Sequence, residues 1–205
     1  MATRTITRLY DTYDEATRAV QALEAAGVPH ADISLVGSAH DRATEAAGGS
    51  TTGTDSGAAT GAGTGATLGT LVGGGAGLLA GIGALAIPGV GPIVAAGWLV
   101  AALTGAGVGA AAGGLLGSLT GAGVSEEDAH VYAEGVRRGG TMLTARVEES
   151  QAARLEAVLA SGGHVDVAAR RAEYQSEGWN RFDPEAPALT ATDVQAERKR
   201  RVRVS

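Results

Sequence analysis

The residues best suited to proton transfer or metal ligation are four histidines, His30, His40, His130 and His164. They stand far apart, and none falls in an HxxxH or HExxH pattern. The densest carboxylate group is Glu126-Glu127-Asp128. It opens a helical pattern, where acidic side chains complement the positive end of the helix dipole without any ligand. No cysteine is present, which removes thiolate metal sites, Cys nucleophiles and disulfides together. The sole lysine is Lys199, so no glycine loop ends in the GK[ST] of a phosphate cradle, and no GxSxG elbow occurs. These absences point away from an enzyme, and no cofactor, metal or small-molecule substrate is expected.

Regular spacing is found in the glycines instead. Of 33 glycines in 205 residues, 22 lie between Ser56 and Ser125, a stretch with no Asp, Glu, Lys, Arg or His. Gly57, Gly61, Gly65, Gly69, Gly73, Gly77 and Gly81 recur every fourth residue, as do Gly97, Ala101, Gly105, Gly109, Gly113, Gly117 and Gly121. The two ladders mirror each other about Gly89, where Pro88, Gly89, Gly91 and Pro92 signal a turn.

On a helix, residues four apart lie almost above one another, and a small-residue row lets a second backbone come close. The mirror order suits an antiparallel helical hairpin spanning 57–122 with its turn at 87–92. Each arm would be about 45 Å long against a bilayer core of about 30 Å. Bulky residues gather near the turn: Leu78, Leu79, Ile82, Leu85 and Ile87 before it, and Ile93, Val94, Trp98, Leu99, Val100 and Leu103 after it. Glycine costs a helix about 1 kcal/mol relative to alanine, so lipid or close protein packing would have to support the arms. The expectation is therefore a membrane hairpin that self-associates into a homo-oligomer through the ladder. The alternative is a soluble assembly with its hairpins packed into a common core. The uncharged ladder lacks the basic flank that would orient a spanning helix.

The flanks read as an ordinary soluble domain. Ile6 to Tyr10 alternates as a strand, Thr12-Tyr13-Asp14-Glu15 is a capping box, and Ala16, Ala19, Val20 and Leu23 repeat at helical spacing. Asp32 to Val36 supplies a second strand. Beyond the insertion, Ser125 caps a helix through Val136, Met142 to Val147 is a strand, Ser150 to Ala160 a helix, and His164 to Val167 a last strand. Apart from the insertion and its trailing helix, the order is strand-helix-strand twice. The expected class is α+β, a ferredoxin-like split sandwich in two halves, 1–38 and 125–168, joined through a Gly/Ser/Thr-rich linker at 39–56. Met1 to Tyr10 has neither an apolar run nor a cleavage site, so a cytoplasmic soluble domain at the cytoplasmic membrane is expected, or a wholly cytoplasmic protein.

These flanks resemble the bacterial heat-induced general stress proteins, the YflT-like family. The resemblance rests on Ile6 to Tyr10 with Asp14-Glu15-Ala16, on Ile33-Ser34-Leu35-Val36, and on the run from Glu126 to Thr141 that includes His130, Tyr132, Glu134 and Arg137-Arg138-Gly139-Gly140. It implies a stress-linked, non-enzymatic role and supplies no active-site residues.

The tail, 169–205, holds Tyr174, Trp179 and Phe182 in a Pro-containing stretch, which suits packing onto the protein's own domain. Thr192-Asp193 can cap a final helix ending in Arg198, Lys199, Arg200, Arg201 and Arg203, a cationic cluster able to contact anionic lipid. A net charge of −6 makes nucleic acid an unlikely partner.

Overall fold

The computed structural model describes residues 2–38, 83–87, 90–99 and 114–202. The linker at 39–56 lies outside them, as do the ladder positions Gly57 to Gly81 and Ala101 to Gly113 and the turn residues Pro88 and Gly89. The described elements are β1 (Thr3–Tyr10), α1 (Tyr13–Ala25), β2 (Ile33–Ser38), β3 (Gly83–Ile87), β4 (Gly91–Ala96), α2 (Gly114–Gly121), α3 (Glu126–Arg137), β5 (Thr141–Glu148), α4 (Glu149–Ala160), α5 (Val167–Ser176) and α6 (Ala191–Val202).

The protein is α+β, as expected. One sheet runs β1-β5-β2-β4-β3 with every neighbouring pair antiparallel. β1 and β2 flank β5, with Ile6 and Ile33 both opposite Ala145. This is a split βαβ unit whose crossover helix, α1, begins with the expected capping box between Thr12 and Glu15.

Alternation along the strands sends side chains to two faces. Ile6, Tyr10, Ile33, Leu35, Leu143, Ala145 and Val147 pack on one face with Ala16, Val20 and Leu23 of α1 and Leu155 and Leu159 of α4. Leu9, Val36 and Met142 face the other way, against Leu115 and Leu119 of α2 and Ala129, Tyr132, Ala133 and Val136 of α3. Helices thus cover both faces, and β5 is buried on each. Full burial of each Leu or Ile contributes about 1.5–3 kcal/mol.

The fourth ferredoxin-like strand expected at His164–Val167 does not form. Val165 N–H donates one bond to the Leu9 carbonyl at 2.8 Å, which extends the sheet by a single rung. Asp166 then accepts from Ala169 N–H at 2.9 Å and starts α5, so the cap ends the extension. The last helix is also capped differently: Thr190, two residues before the expected Thr192, exchanges bonds with Asp193.

The larger correction concerns the hairpin. Residues 83–87 and 91–96 are strands, not helical arms. β4 pairs with β2, matching Ala96 to Leu35 and Ile93 to Ser38, while β3 pairs with β4 on the outside. Between the two strands, Val90 N–H donates to the Ile87 carbonyl at 3.1 Å and Gly91 follows at φ +95°. Burial explains the outcome, because Ile87, Val90, Ile93, Ala95 and Leu99 complete the core beneath α2 and α3. Farther along, Gly114–Gly121 is a helix of eight residues.

Gly97 shows why helical spacing is a poor guide here. It sits at φ +92°, and a Cβ on it would overlap the Ile33 carbonyl oxygen and lie 2.7 Å from Ser34 Cα. Ser34, itself buried, seals the bend by donating to the Ala96 carbonyl at 2.7 Å and accepting from Leu99 N–H at 3.1 Å. By contrast, a Cβ on Gly117 or Gly121 would meet nothing within 4 Å. Replacing Gly97 by Ala should therefore destabilise the fold by about 3 kcal/mol or more, from left-handed strain plus overlap. Replacing Gly117 by Ala should stabilise it by about 0.5–1 kcal/mol. Urea unfolding midpoints give both signs, and a Gly117→Ala variant as damaging as Gly97→Ala would contradict this account.

Candidate functional site

Two regions hold the residues that association would use. The first is the outer edge of the hairpin. β3 reads Gly-Ala-Leu-Ala-Ile, with no charge and no proline within the strand. Edge strands in monomeric proteins are commonly blunted by charged residues, proline or a bulge. Of the fourteen ladder positions, only Gly97, Gly117 and Gly121 are described. They do not form one row: Gly97 lies in the bend after β4, and the other two are exposed on α2. Gly91 lies under the tail, where a Cβ would come 2.9 Å from Ala188 Cβ.

The second region is a charged network at the C-terminal end of α3. Asp11, just past β1, accepts both arms of the Arg170 guanidinium from α5, each at 2.9 Å. The same carboxylate takes Arg201 from α6, also at 2.9 Å. Glu134 on α3 is almost fully buried and is held by Arg137 at 3.2 Å and Arg138 at 2.7 Å, one helical turn ahead. Arg138 continues to Glu177 just beyond α5 and stacks over the Tyr174 ring at 4.2 Å. Trp179 meets that ring edge-on, with centroids 5.5 Å apart. Tyr174 and Phe182 are buried, so the tail aromatics pack on their own domain.

The basic run is largely engaged from within. Arg198 donates to the Gly139 carbonyl at 3.1 Å, and Arg201 to the Arg138 carbonyl at 3.3 Å. These acceptors lie where α3 ends, the negative end of its dipole. Gly139 is at φ +91° and admits Val194, which a Cβ there would strike. Arg200 reaches Glu177 at 3.1 Å and Glu197 at 3.0 Å. Lys199 is exposed, and Arg203 lies outside the described residues. Sequence reasoning placed the cations but missed Asp11, Glu134 and Arg170. Glu134 could have been found from Arg137 and Arg138 at i+3 and i+4. Asp11 and Arg170 are 159 positions apart and leave no such signal.

Burial pushes the Asp11 carboxyl up, but the hydrogen bonds and charges of Arg170 and Arg201 outweigh it and hold it below the usual aspartate range. Hydrogen bonding and charge from Arg138, with help from Arg200, likewise lower Glu177.

A cleft of about 430 Å³ lies beside α3, lined by Glu126, Glu127, His130, Arg171, Gln175, Trp179, Asn180 and Arg181. Its charges are paired in part, since Arg171 holds Glu127 at 3.2 Å and Asp128 at 2.5 Å. Among the described residues, no three His, Asp or Glu side chains are grouped as a metal site.

Residues 5–79 match the family model of the heat induced stress protein YflT domain, in keeping with the resemblance read from the sequence. The match takes in β1, α1 and β2, whereas the α3 run that also carried the resemblance lies beyond it. No curated protein and no solved structure matches the chain. Among the described residues, no helix is long and apolar enough to cross a membrane.

Depressed carboxyl pKa values stabilise the fold above their unfolded values, and that contribution disappears as pH falls through the lower folded values. Docking of α5 and α6 should hold steady above about pH 5 and weaken below the ordinary values of 3.8 and 4.5 for Asp11 and Glu177. Hydrogen exchange should show residues 167–202 losing protection on acidification before β5 does. Asp11→Asn should lose that protection at neutral pH, and uniform loss across the fold would contradict the assignment.

Proposed function

We propose, proceeding from the heat-induced stress domain match, that this protein is a non-catalytic, stress-associated module that self-assembles through its uncharged hairpin. The observation that carries this reading is β3, the outer strand of the sheet among the described residues, with no charge or proline to oppose pairing by a second copy. Main-chain donors and acceptors on such an edge can join another sheet without any special side chain. Self-association is thus retained, but its seat moves from helical ladders to a sheet edge.

The membrane-hairpin reading has less to stand on. Ile87, Ile93 and Leu99, which would have faced lipid near the turn, are spent in the domain core. A soluble assembly is favoured on that ground.

Light scattering after size exclusion, in buffer without detergent, should find the full-length protein larger than its 20.2 kDa chain mass. Ala84→Lys, opposite Val94 and so on the face turned away from Ile87 and Ile93, should move it toward the monomer, because charge on an edge opposes edge-to-edge pairing. In cell fractions the protein should leave with the supernatant on carbonate washing. Monomers over the whole concentration range would overturn the assembly, and a carbonate-resistant pellet would favour the membrane hairpin instead.

A further inference from the structure

Helix α6 is fastened mainly by charge. Its one well-buried apolar side chain among the described residues is Val194, set into the notch at Gly139. Burial of a valine contributes little against the cost of ordering twelve residues. What holds α6 down is charge: Arg201 on Asp11, Arg200 on Glu177, and Arg198 on the α3 terminus. The carboxylates of the domain thus occupy the cations that the helix could offer elsewhere.

We propose that α6 is an electrostatic strap that exchanges these internal carboxylates for the phosphates of an anionic lipid surface. Three observations converge on it. The strap is already partly on offer, since Lys199 is exposed and the Arg200 side chain is 59% exposed. It also follows residues 177–190, which contain Pro184 and Pro187 and no helix, so it can lift without unfolding the sheet. Finally, α6 carries no aromatic residue for base stacking, and Gln195 is its only amide side chain for reading base edges. A layer of headgroup charge asks for neither. Such attraction is short-ranged and screened by salt, and it competes directly with the Asp11 and Glu177 pairs. The inference does not rest on assembly through β3, because the strap's carboxylate anchor, Asp11, follows β1, the other edge strand of the described sheet.

The test is sedimentation of the full-length protein at low ionic strength with vesicles of phosphatidylcholine alone or mixed with phosphatidylglycerol. Asp11→Asn frees Arg201 from its carboxylate and should bind the anionic vesicles several-fold tighter than wild type, with no binding to neutral ones. Glu177→Gln, which leaves the β1 anchor intact, should act in the same direction and stands in should Asp11→Asn fail to fold. Lys199→Ala with Arg200→Ala should weaken binding roughly thirty-fold, from the charge lost near the surface. Hydrogen exchange over 191–202 should rise in both release variants. The proposal is overturned by release variants that bind anionic vesicles no better than wild type, by equal binding to neutral vesicles, or by unchanged exchange in α6. Preferential binding of a DNA duplex over the vesicles at the same salt would also overturn it, making nucleic acid the partner.

Discussion

The placement of β5 between β1 and β2 is the constraint on which the rest of the structure depends. β5 is antiparallel to both, and its residues are buried on alternating faces, Met142 toward α3 and Leu143 toward α1 and α4. A strand buried on both sides cannot slip by one residue, because every side chain would change layers. That fixes Asp11 at the end of β1 and the Gly139-Gly140 turn before β5 on neighbouring strands, since Tyr10 pairs with Thr141. The charged network is built around that junction. β2 is left with one free edge, and the hairpin of β3 and β4 fills it.

Sequence reading recovered the elements whose patterns have one physical meaning. The Thr12–Glu15 box, the alternation of Ile6 to Tyr10 and the amphipathic runs of α1, α3 and α4 lie where expected, give or take a residue at their ends. The hairpin is ambiguous in sequence because its residues satisfy two patterns at once. Short apolar runs such as Leu85-Ala86-Ile87 and Ile93-Val94 suit a buried strand as well as a helix, and period alone does not separate them. Spacing by four counts glycines without asking why each is glycine. At Gly97 the reason is a left-handed bend against the Ile33 and Ser34 backbone, which no spacing rule reveals. The α5 helix is hard to read for the opposite reason: Arg170 and Tyr174 are buried on its inner face, so its apolar pattern is too weak.

Charge behaves likewise. The whole-chain value of −6 averages an acidic body with a cationic end that the fold brings together. Three guanidinium groups lie around Asp11 and Tyr174, and acceptors for them come from β1, from α3 and from the segment after α5. Desolvation offsets part of the attraction in partly buried pairs of this kind, while loss of one partner leaves the other charge uncompensated. Such a network orients the tail closely while leaving it sensitive to salt and to acid.

The two edges of the sheet differ in a way that bears on assembly. At β1 the outward groups are guarded. The Leu9 carbonyl takes Val165 N–H, and the Thr7 carbonyl takes the Tyr132 hydroxyl at 3.0 Å and Arg8 at 2.9 Å. Arg4 and Arg8 add charge along the same strand, and Arg4 is tied to Glu156 at 3.3 Å. A second sheet approaching there would have to displace side chains and desolvate cations. At β3 neither obstacle is encoded in the strand, which offers only glycine, alanine, leucine and isoleucine. Both edges have the same backbone chemistry, so the difference in their side chains decides which one can meet a second copy. A sequence that places charges throughout its flanks and none from Ser56 to Ser125 has confined that choice to the hairpin.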